Sequence, residues 1–398
     1  MRIVVGLSGG VDSSVAAHLL KEAGHEVIGL FMRNWHDESV VLDNECPWID
    51  DANDAMLVAS HLGIPFQVLD LSDAYRERIV EYMFREYEMG RTPNPDVLCN
   101  REIKFDLFLK AAQELGAEAV ATGHYCRKQS IIGPTGTVHR LLAGKDTNKD
   151  QSYFLCQLSQ EQLGCAMFPI GELTKPEVRA IAHSIELPTA NKKDSQGLCF
   201  IGKVRLPDFL QQKLLVKPGV IIEIPDNHPA CIHRSAILQK AKPEDLDVQD
   251  AEPLQWNAMD GQEVGTHQGA HFYTIGQRRG IQVGGKPQPL FVIQKDVSEN
   301  ILYVGQSESH VGLKRMALRI SANDVHWVRE DLSLVENEIQ RHWKVRFRYR
   351  QPLQKASIER RGDDIFIWFE KPQTGIAAGQ FAAWYDGDEC IGSGVIAS

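Results

Sequence analysis

A glycine-rich turn near the start of this 398-residue chain constrains its fold more than any other stretch. Residues 3–5 are an apolar run, and residues 6–13 read Gly-Leu-Ser-Gly-Gly-Val-Asp-Ser. Apolar residues at a spacing of four follow as far as Gly24. This order predicts a strand, a tight turn and the N-terminus of a helix. Because the backbone N–H groups of such a turn point outward at the positive end of the helix dipole, the turn suits a phosphate group.

The side chains of this turn favour a phosphate-binding role. Ser8 and Ser13 add hydroxyl donors, while Gly9 and Gly10 allow an anion to approach the backbone closely. The turn is not a Walker A loop, because that loop requires a lysine before its final Ser or Thr. The alternative is a glycine turn that only packs the strand against the helix.

The first 200 residues alternate strand patterns with helix patterns. The strands are predicted at residues 2–7, 26–32, 66–71 and 118–121. This alternation predicts an α/β domain with a Rossmann-like parallel sheet covered by helices on both faces. Ligands of such sheets bind at the carboxyl ends of the strands, where the glycine-rich turn and residues 122–124 are both expected.

Two further loops carry cysteines in settings that favour chemistry. Residues 91–100 contain two prolines and lead to Cys99, which is predicted at the start of a helix from about residue 101. Helix N-termini favour the thiolate form of a cysteine, and Asp96 is close enough in sequence to accept a proton. Cys199 follows a pair of lysines and a glycine, which is also an electropositive setting. The alternative for each is an inert cysteine in the core.

The character of the chain changes after about residue 204. Residues 220–224 form a strand pattern, and residues 226–261 are polar, with three basic and eight acidic residues between positions 226 and 263. Four prolines in or beside that acidic stretch predict a surface loop rather than a helix. A Gly-Gln-Arg-Arg-Gly turn follows at residues 276–280, and short β patterns typical of a small barrel begin at residue 290. We therefore predict domains at residues 1–204, 205–287 and 288–398.

Residues 342–350 show the clearest β pattern of the last domain. Aromatic and apolar residues alternate there with four cations, which predicts a strand with one apolar and one cationic face. Residues 312–361 as a whole carry twelve Lys or Arg and six Asp or Glu, against a net charge of −10 for the chain. The cationic face is expected either to bind nucleic-acid phosphates or simply to be solvated.

Cysteine usage and hydropathy exclude several classes of protein. Eight cysteines in a chain of this length are not a disulfide framework, and no pair has the C-x-x-C spacing of a zinc ribbon or thioredoxin-like site. No metal site is predicted. The chain has no run of eighteen apolar residues and enters a strand at once without a signal peptide. We expect a cytoplasmic protein with no membrane partner.

Taken together, these motifs resemble the bacterial tRNA-specific 2-thiouridylase family, whose SGGxDS loop is that of the ATP pyrophosphatases. The resemblance runs over essentially the whole chain in the same order. It rests on the segments at residues 8–13, 29–32, 91–100, 121–125, 148–154, 193–202 and 347–351. The cysteine motifs PNPDVLCN and GLCFIG are the most specific in combination. One departure from the family is the acidic stretch, which is longer than in compact family members.

The resemblance implies an adenine nucleotide alpha hydrolase-like first domain, a small central domain and a tRNA-binding C-terminal β-barrel. It implies that ATP contacts Gly6, Leu7, Ser8, Gly9, Gly10, Val11, Asp12, Ser13, Met32 and Gly123. It implies that the target base contacts Asn94, Pro95 and Asp96. It implies that other parts of the tRNA contact His124, Lys149, Asp150, Gln151, Arg348, Tyr349 and Gln380.

The resemblance also implies a reaction. ATP with Mg²⁺ would adenylate the 2-oxygen of the wobble uridine, and a persulfide on Cys199 would supply sulfur. Either the persulfide attacks the base directly, or Cys99 cleaves it to release sulfide and leaves a Cys99–Cys199 disulfide. Asp96 would act as general acid or base. The implied partners are the anticodon region of tRNA and a persulfide-carrying sulfur-donor protein.

Three alternatives remain open at this point. One is another ATP pyrophosphatase, an amide- or C–N-forming ligase, which attacks with an amine and needs no cysteines. A second is a non-catalytic tRNA-binding protein that holds ATP as a structural ligand. In the third, Asp96, Cys99 and Cys199 ligate an iron–sulfur cluster.

Overall fold

The computed structural model describes residues 1–34, 47–133, 136–193, 206–211, 213–240 and 245–397. Its first sheet is parallel throughout, as the alternating pattern predicts. In these ranges the sheet has the spatial order Phe66–Asp70, Glu26–Arg33, Arg2–Gly6, Ala119–Ala121, Ala166–Met167. The chain order reverses beside Arg2–Gly6, so the carboxyl ends of that strand and of Ala119–Ala121 border the crevice where such sheets bind ligands.

Helices cover both faces of this sheet, which confirms the predicted α/β class. One face packs against Val11–Glu22, Pro47–Leu62 and Lys175–Ser184. The other packs against two longer helical runs. The first run comprises Ser72–Tyr75, the π-helical Arg76–Val80 and Glu81–Glu88, and the second comprises Pro95–Leu98, the π-helical Cys99–Leu107 and Phe108–Glu114.

A second sheet forms the central part of the molecule. Its described strands have the order Leu290–Asp296, Ile301–Gln306, Gly219–Glu223, Gln262–His267. The first two strands in that order were expected in the barrel, because a strand pattern reveals a buried face but not a pairing partner. We therefore propose that the central domain extends beyond residue 306 rather than ending at 287.

The C-terminal strands close into the expected barrel. The ring runs Lys314–Trp327, Asp364–Thr374, Gln354–Arg361, Lys344–Arg346, Phe381–Asp386, Glu389–Ile396, and the last strand pairs with the first. Ile339–Gln340 adds a short pairing to Gln354–Arg361. The hairpin Cys126–Gly133 and Gly136–Ala143 of the first domain also joins this sheet, through Glu389–Ile396. The first domain and the barrel are thus hydrogen-bonded to each other.

The acidic stretch is not the surface loop that its prolines predict. Pro229–Lys240 is a helix that begins at its proline, a position where proline is favourable because the missing N–H has no intrahelical partner. Cys231 and Trp256 from this stretch are buried in the core of the central domain, and Ala251 is buried against the barrel. The prediction was therefore wrong because prolines mark helix starts as well as loops.

The remaining helical segments are short. They are Ser152–Leu155, Gln160–Cys165, Leu206–Leu210, Val248–Ala251, Ala258–Asp260, Ala270–Phe272, Val311–Leu313 and Glu330–Leu332. Among the helices that the structure describes, none is both long and apolar enough to cross a membrane.

Candidate functional site

The glycine-rich turn lies at the carboxyl end of the first strand and is internally hydrogen-bonded. The N–H of Ser8 donates to the Ser13 hydroxyl over 3.2 Å, and that hydroxyl lies 3.2 Å from the carbonyl of Gly10. Gly9 has φ +70°, and a Cβ there would lie 2.2 Å from the carbonyl oxygen of Asp51. Only glycine fits this position, because the turn packs directly against the backbone of the helix Pro47–Leu62 at the start of the helix Val11–Glu22.

The other residues expected to contact ATP lie against this turn. A Cβ on Gly123 would lie 2.6 Å from the backbone N of Ser13, so the Ala119–Ala121 strand leads directly onto the turn. The Met32 methyl is 3.5 Å from where a Gly6 Cβ would lie, and Met32 is buried. The fold therefore brings residues 6–13, Met32 and Gly123 together.

A lysine that the sequence analysis missed completes the turn. The Lys175 ammonium lies 2.7 and 2.9 Å from the two carboxylate oxygens of Asp12, and the Tyr125 hydroxyl donates to the same carboxylate over 2.8 Å. Lys175 is the first residue of the helix Lys175–Ser184, which the capping box of Thr174 and Glu177 marks in the sequence. The start of this helix could be predicted from the sequence. Its position beside the glycine-rich turn could not, because that position depends on tertiary packing.

Cys99 lies one turn inside a helix and not at its start. The helix begins at Pro95, where the Asn94 side chain caps it by accepting from the N–H of Val97 over 3.4 Å. The predicted start near residue 101 was wrong because Pro95 opens the helix instead of delaying it. Cys99 is fully buried at the beginning of the π-helical section, and Asp96 is partly exposed. π-Helical turns are frequent at functional sites.

Cys199, the predicted persulfide carrier, lies outside the described residues. Among the residues that are described, no group of three His, Cys, Asp or Glu is arranged to hold a metal ion.

The other two domains hold the loop that leads to Cys99. The Gln380 amide donates to the carbonyls of Thr92 and Pro93 over 2.8 and 3.1 Å. The N–H of Thr92 donates to the carbonyl of Ala378 over 2.8 Å, and its hydroxyl lies 3.3 Å from that of Thr274 in the central domain. The Gln380 amide nitrogen is thus used to fix the loop next to Asn94.

Asp150 is buried and paired across the domain boundary. Its carboxylate lies 2.6 Å from the guanidinium of Arg346, which also lies 2.8 Å from the Ser152 hydroxyl and 2.7 Å from that of Tyr385. The expectation of four unpaired cations on a strand at residues 342–350 was therefore wrong. The strand is only Lys344–Arg346, and its last residue, Arg346, is buried because a buried carboxylate offsets the desolvation of the guanidinium.

The remaining residues expected to contact tRNA lie around this pair. The Tyr349 hydroxyl donates to the carbonyl of Lys149 over 3.5 Å, and the Tyr349 ring is centred 4.4 Å from that of Phe154. The Gln151 side chain accepts from the N–H of Tyr125 over 2.9 Å. Arg348 is exposed and donates to a barrel carbonyl. Lys149, Gln151, Arg348 and Tyr349 thus share one region of the surface.

His124 lies apart from these residues in a closed setting. It is 8% exposed, and its Nδ1 lies 2.8 Å from the Thr122 hydroxyl. Its ring packs near those of Phe105 and Phe168. Burial, with a smaller effect of the Lys104 charge, holds the pKa of His124 well below its usual value, so the imidazole is neutral.

Three family models match successive parts of the chain. They are the tRNA methyl transferase HUP domain at residues 1–203, the tRNA methyl transferase PRC-barrel domain at residues 249–306 and the aminomethyltransferase beta-barrel domain at residues 318–396.

Curated relatives extend over the same length. The protein named tRNA-specific 2-thiouridylase MnmA from Flavobacterium johnsoniae is 59% identical over 396 residues and covers 99% of both chains. The protein of that name from Christiangramia forsetii is 59% identical over 395 residues, again covering 99% of both. That from Streptococcus sanguinis is 44% identical over 400 residues, covering 100% of this chain and 95% of its own.

Proposed function

This chain belongs to the tRNA-specific 2-thiouridylase family and is a tRNA sulfurtransferase, and we propose that it thiolates the wobble uridine through an ATP-dependent adenylated intermediate. One observation carries the proposal most directly. The glycine-rich turn and the helix of Cys99 belong to one domain, and the loop before that helix is held by both other domains. Such an arrangement suits a substrate that must reach a nucleotide and a cysteine at once.

The residues of the turn fit the triphosphate of ATP. Within the described ranges, only the Ser8 hydroxyl lies near the place of the missing Gly10 side chain, 3.5 Å away, so an anion can approach the backbone there. Ser8 and Ser13 offer hydroxyls, and Lys175 supplies the positive charge that the turn itself lacks. In this proposal Asp12 holds Lys175 in place and pyrophosphate leaves from the turn. Mg²⁺ would enter on the phosphates of ATP and offset their charge, since magnesium keeps few protein ligands in such sites.

The activation step makes the 2-position of uridine reactive. The 2-oxygen attacks the α-phosphorus of ATP, an O–P bond forms, and the bond from that phosphorus to pyrophosphate breaks. The base then carries AMP, a far better leaving group than the carbonyl oxygen alone. Asn94, Pro95 and Asp96 would contact the base, with Asp96 as general acid or base.

Sulfur transfer would use Cys199 and Cys99 as a pair. The terminal sulfur of a Cys199 persulfide forms the bond to C2 as the C2–O bond to AMP breaks. The Cys99 thiolate then attacks the Cys199 sulfur, which releases the thiolated base and leaves a disulfide. In the second route Cys99 first attacks the Cys199 sulfur of the persulfide, which releases hydrosulfide and leaves the disulfide. The hydrosulfide then forms the bond to C2 as the C2–O bond to AMP breaks. Either route needs a thiol reductant, which reduces the disulfide and restores both cysteines. It also needs a persulfide donor, proposed to be a protein, which reloads Cys199.

The tRNA is proposed to bind where the three domains meet. Lys149, Gln151, Arg348 and Tyr349 share that region, and their contacts support a role in holding the anticodon end of the molecule. Asp150 and His124 are buried, and the amide nitrogen of Gln380 is engaged by the loop before Cys99. These settings favour a positioning role for the three residues over direct contact with RNA.

Separating activation from sulfur transfer tests this mechanism. Cys99→Ser and Cys199→Ser should still release pyrophosphate from ATP in a tRNA-dependent way, yet should form no 2-thiouridine. Cys165→Ser provides a control outside the proposed mechanism and should behave like the parent. A ligase that attacks with an amine would instead retain its product in both variants, and a protein that only binds ATP would release no pyrophosphate in any of them. An iron–sulfur cluster would show as visible absorbance of the anaerobically purified parent, lost in Cys99→Ser.

A further inference from the structure

The turn at residues 276–280 of the central domain has no role in the mechanism above. Its shape is fixed by hydrogen bonds at both ends. The Gln277 side chain accepts from the N–H of Thr274 over 3.1 Å and donates to the carbonyl of Arg279 over 2.8 Å. The Tyr273 hydroxyl donates to the carbonyl of Gly280 over 3.2 Å. The turn is therefore a rigid support for the two side chains at its tip.

Those two side chains are Arg278 and Arg279. Both are exposed, and within the ranges that the structure describes neither forms a hydrogen bond or ion pair through its guanidinium. Two adjacent like charges repel each other, so an anionic ligand would lower their free energy. Guanidinium groups stay charged at all physiological pH values and bind phosphate in bidentate fashion.

The position of the turn points to the kind of ligand. A Cβ on Gly276 would lie 3.6 Å from the guanidinium of Arg348, so the turn borders the tRNA region proposed on the barrel. Thr274, just before the turn, contacts Thr92 in the loop that leads to Cys99. Cations of the central domain and of the barrel thus flank one side of the loop proposed to contact the base.

We propose that Arg278 and Arg279 form a phosphate-binding site for the tRNA backbone on the central domain. Together with Arg348, which lies beside Gly276, they would form one continuous cationic surface. This inference rests on the proposed function, because it assumes that the target base lies at residues 94–96. RNA is favoured over an acidic protein partner because the charges adjoin the base-binding loop, where a docked protein would compete with the substrate.

The salt dependence of tRNA binding tests the site. The change is Arg278→Ala with Arg279→Ala, measured by the affinity for an unmodified tRNA transcript at several salt concentrations. Each lost phosphate contact removes the release of a condensed counterion, so the slope of log K against log salt should fall by about 1.5 to 2 and affinity at 0.1 M salt by about ten-fold or more. Arg278→Lys with Arg279→Lys should retain most of the slope, because it retains the charges.

A charge-matched control uses cations elsewhere. Arg76→Ala with Lys110→Ala removes two exposed charges that pair with acidic neighbours on helices of the first domain. This control should keep the parental slope and affinity. The inference is overturned if the alanine pair at the turn keeps the slope, if the control loses as much, or if the lysine pair loses as much as the alanine pair. If the parent itself forms no 2-thiouridine in tRNA, the proposed function has failed instead.

Discussion

The carboxylate of Asp150 and the guanidinium of Arg346 lie 2.6 Å apart in the interior, where the first domain joins the barrel. Both side chains are 8% exposed. The carboxylate also accepts from the backbone N–H groups of Gly144 and Ser152, so its charge is well satisfied. This pair fixes the loop of Lys149 against the barrel, and it thereby ties the proposed tRNA region to the domain that carries the glycine-rich turn.

Breaking this pair should therefore cost stability. Asp150→Asn leaves a buried guanidinium without its counter-charge, which is expected to lower the free energy of unfolding by about 3–5 kcal/mol. Asp73→Asn breaks the exposed pair with Arg76 and should cost less than about 1 kcal/mol. Urea unfolding of both variants measures the difference. Equal losses in the two would show that the buried pair does not hold the domains together.

The contrast between Arg346 and its neighbours shows which buried residues the sequence pattern could predict and which it could not. Alternation at residues 342–350 correctly predicted that Trp343, Val345 and Phe347 are buried. It could not predict that Arg346 is buried too, because its partner is 196 positions away in the chain. Local patterns report the burial of apolar residues, whereas the burial of a charge depends on a distant counter-charge.

The candidate site likewise has features that could be predicted from the sequence and features that could not. The strand, the glycine-rich turn and the helix after it could be predicted because they are contiguous in sequence. Lys175 could not, because only the packing of its helix brings it to Asp12. The helix of Cys99 was placed six residues too late because Pro95 reads equally well as the end of a loop and the start of a helix.

Lys175 should be needed for activation of the tRNA. Lys175→Met removes the positive charge next to the glycine-rich turn, and pyrophosphate release is expected to fall by about 100-fold or more because charge on the departing phosphate is no longer offset. Affinity for tRNA should be unchanged. Lys145→Met, at an exposed lysine that pairs with Glu177, is the control and should retain the parental rate. Labelled ATP measures both, and a parental rate in Lys175→Met would remove this residue from the proposed site.

His124 should make the protein less stable in acid. Because burial lowers the pKa of His124 in the native state, the unfolded chain takes up a proton near pH 6.5 that the folded chain does not. Stability therefore falls below pH 6.5, by up to about 1.4 kcal/mol per pH unit from this group. His124→Asn removes this contribution. Between pH 7 and pH 5 the free energy of unfolding of His124→Asn should therefore fall less than that of the parent. Parallel pH profiles for the two proteins would contradict the neutral assignment.

The acidic stretch should be needed for stability. Trp256 is 5% exposed in the core of the central domain, so Trp256→Ala is expected to cost about 3–5 kcal/mol. Met259, three residues later, is 92% exposed, and Met259→Ala should change stability by no more than about 0.5 kcal/mol. Thermal unfolding of both variants measures the effect. A negligible loss in Trp256→Ala would restore the sequence-based prediction that this stretch is a surface loop.

The central claim is that ATP-driven activation and sulfur transfer act on the same uridine. It is tested most directly by incubating the protein with unmodified tRNA, ATP, Mg²⁺, glutathione persulfide as sulfur donor and a thiol reductant. The tRNA is then cut with a base-specific ribonuclease, so that mass spectrometry of the fragments identifies and locates the modified base. The account predicts one 2-thiouridine at the wobble position for each pyrophosphate released, and neither product when ATP is left out. Pyrophosphate released with a nucleoside whose 2-oxygen is replaced by an amine nitrogen, or 2-thiouridine formed without ATP, would contradict it.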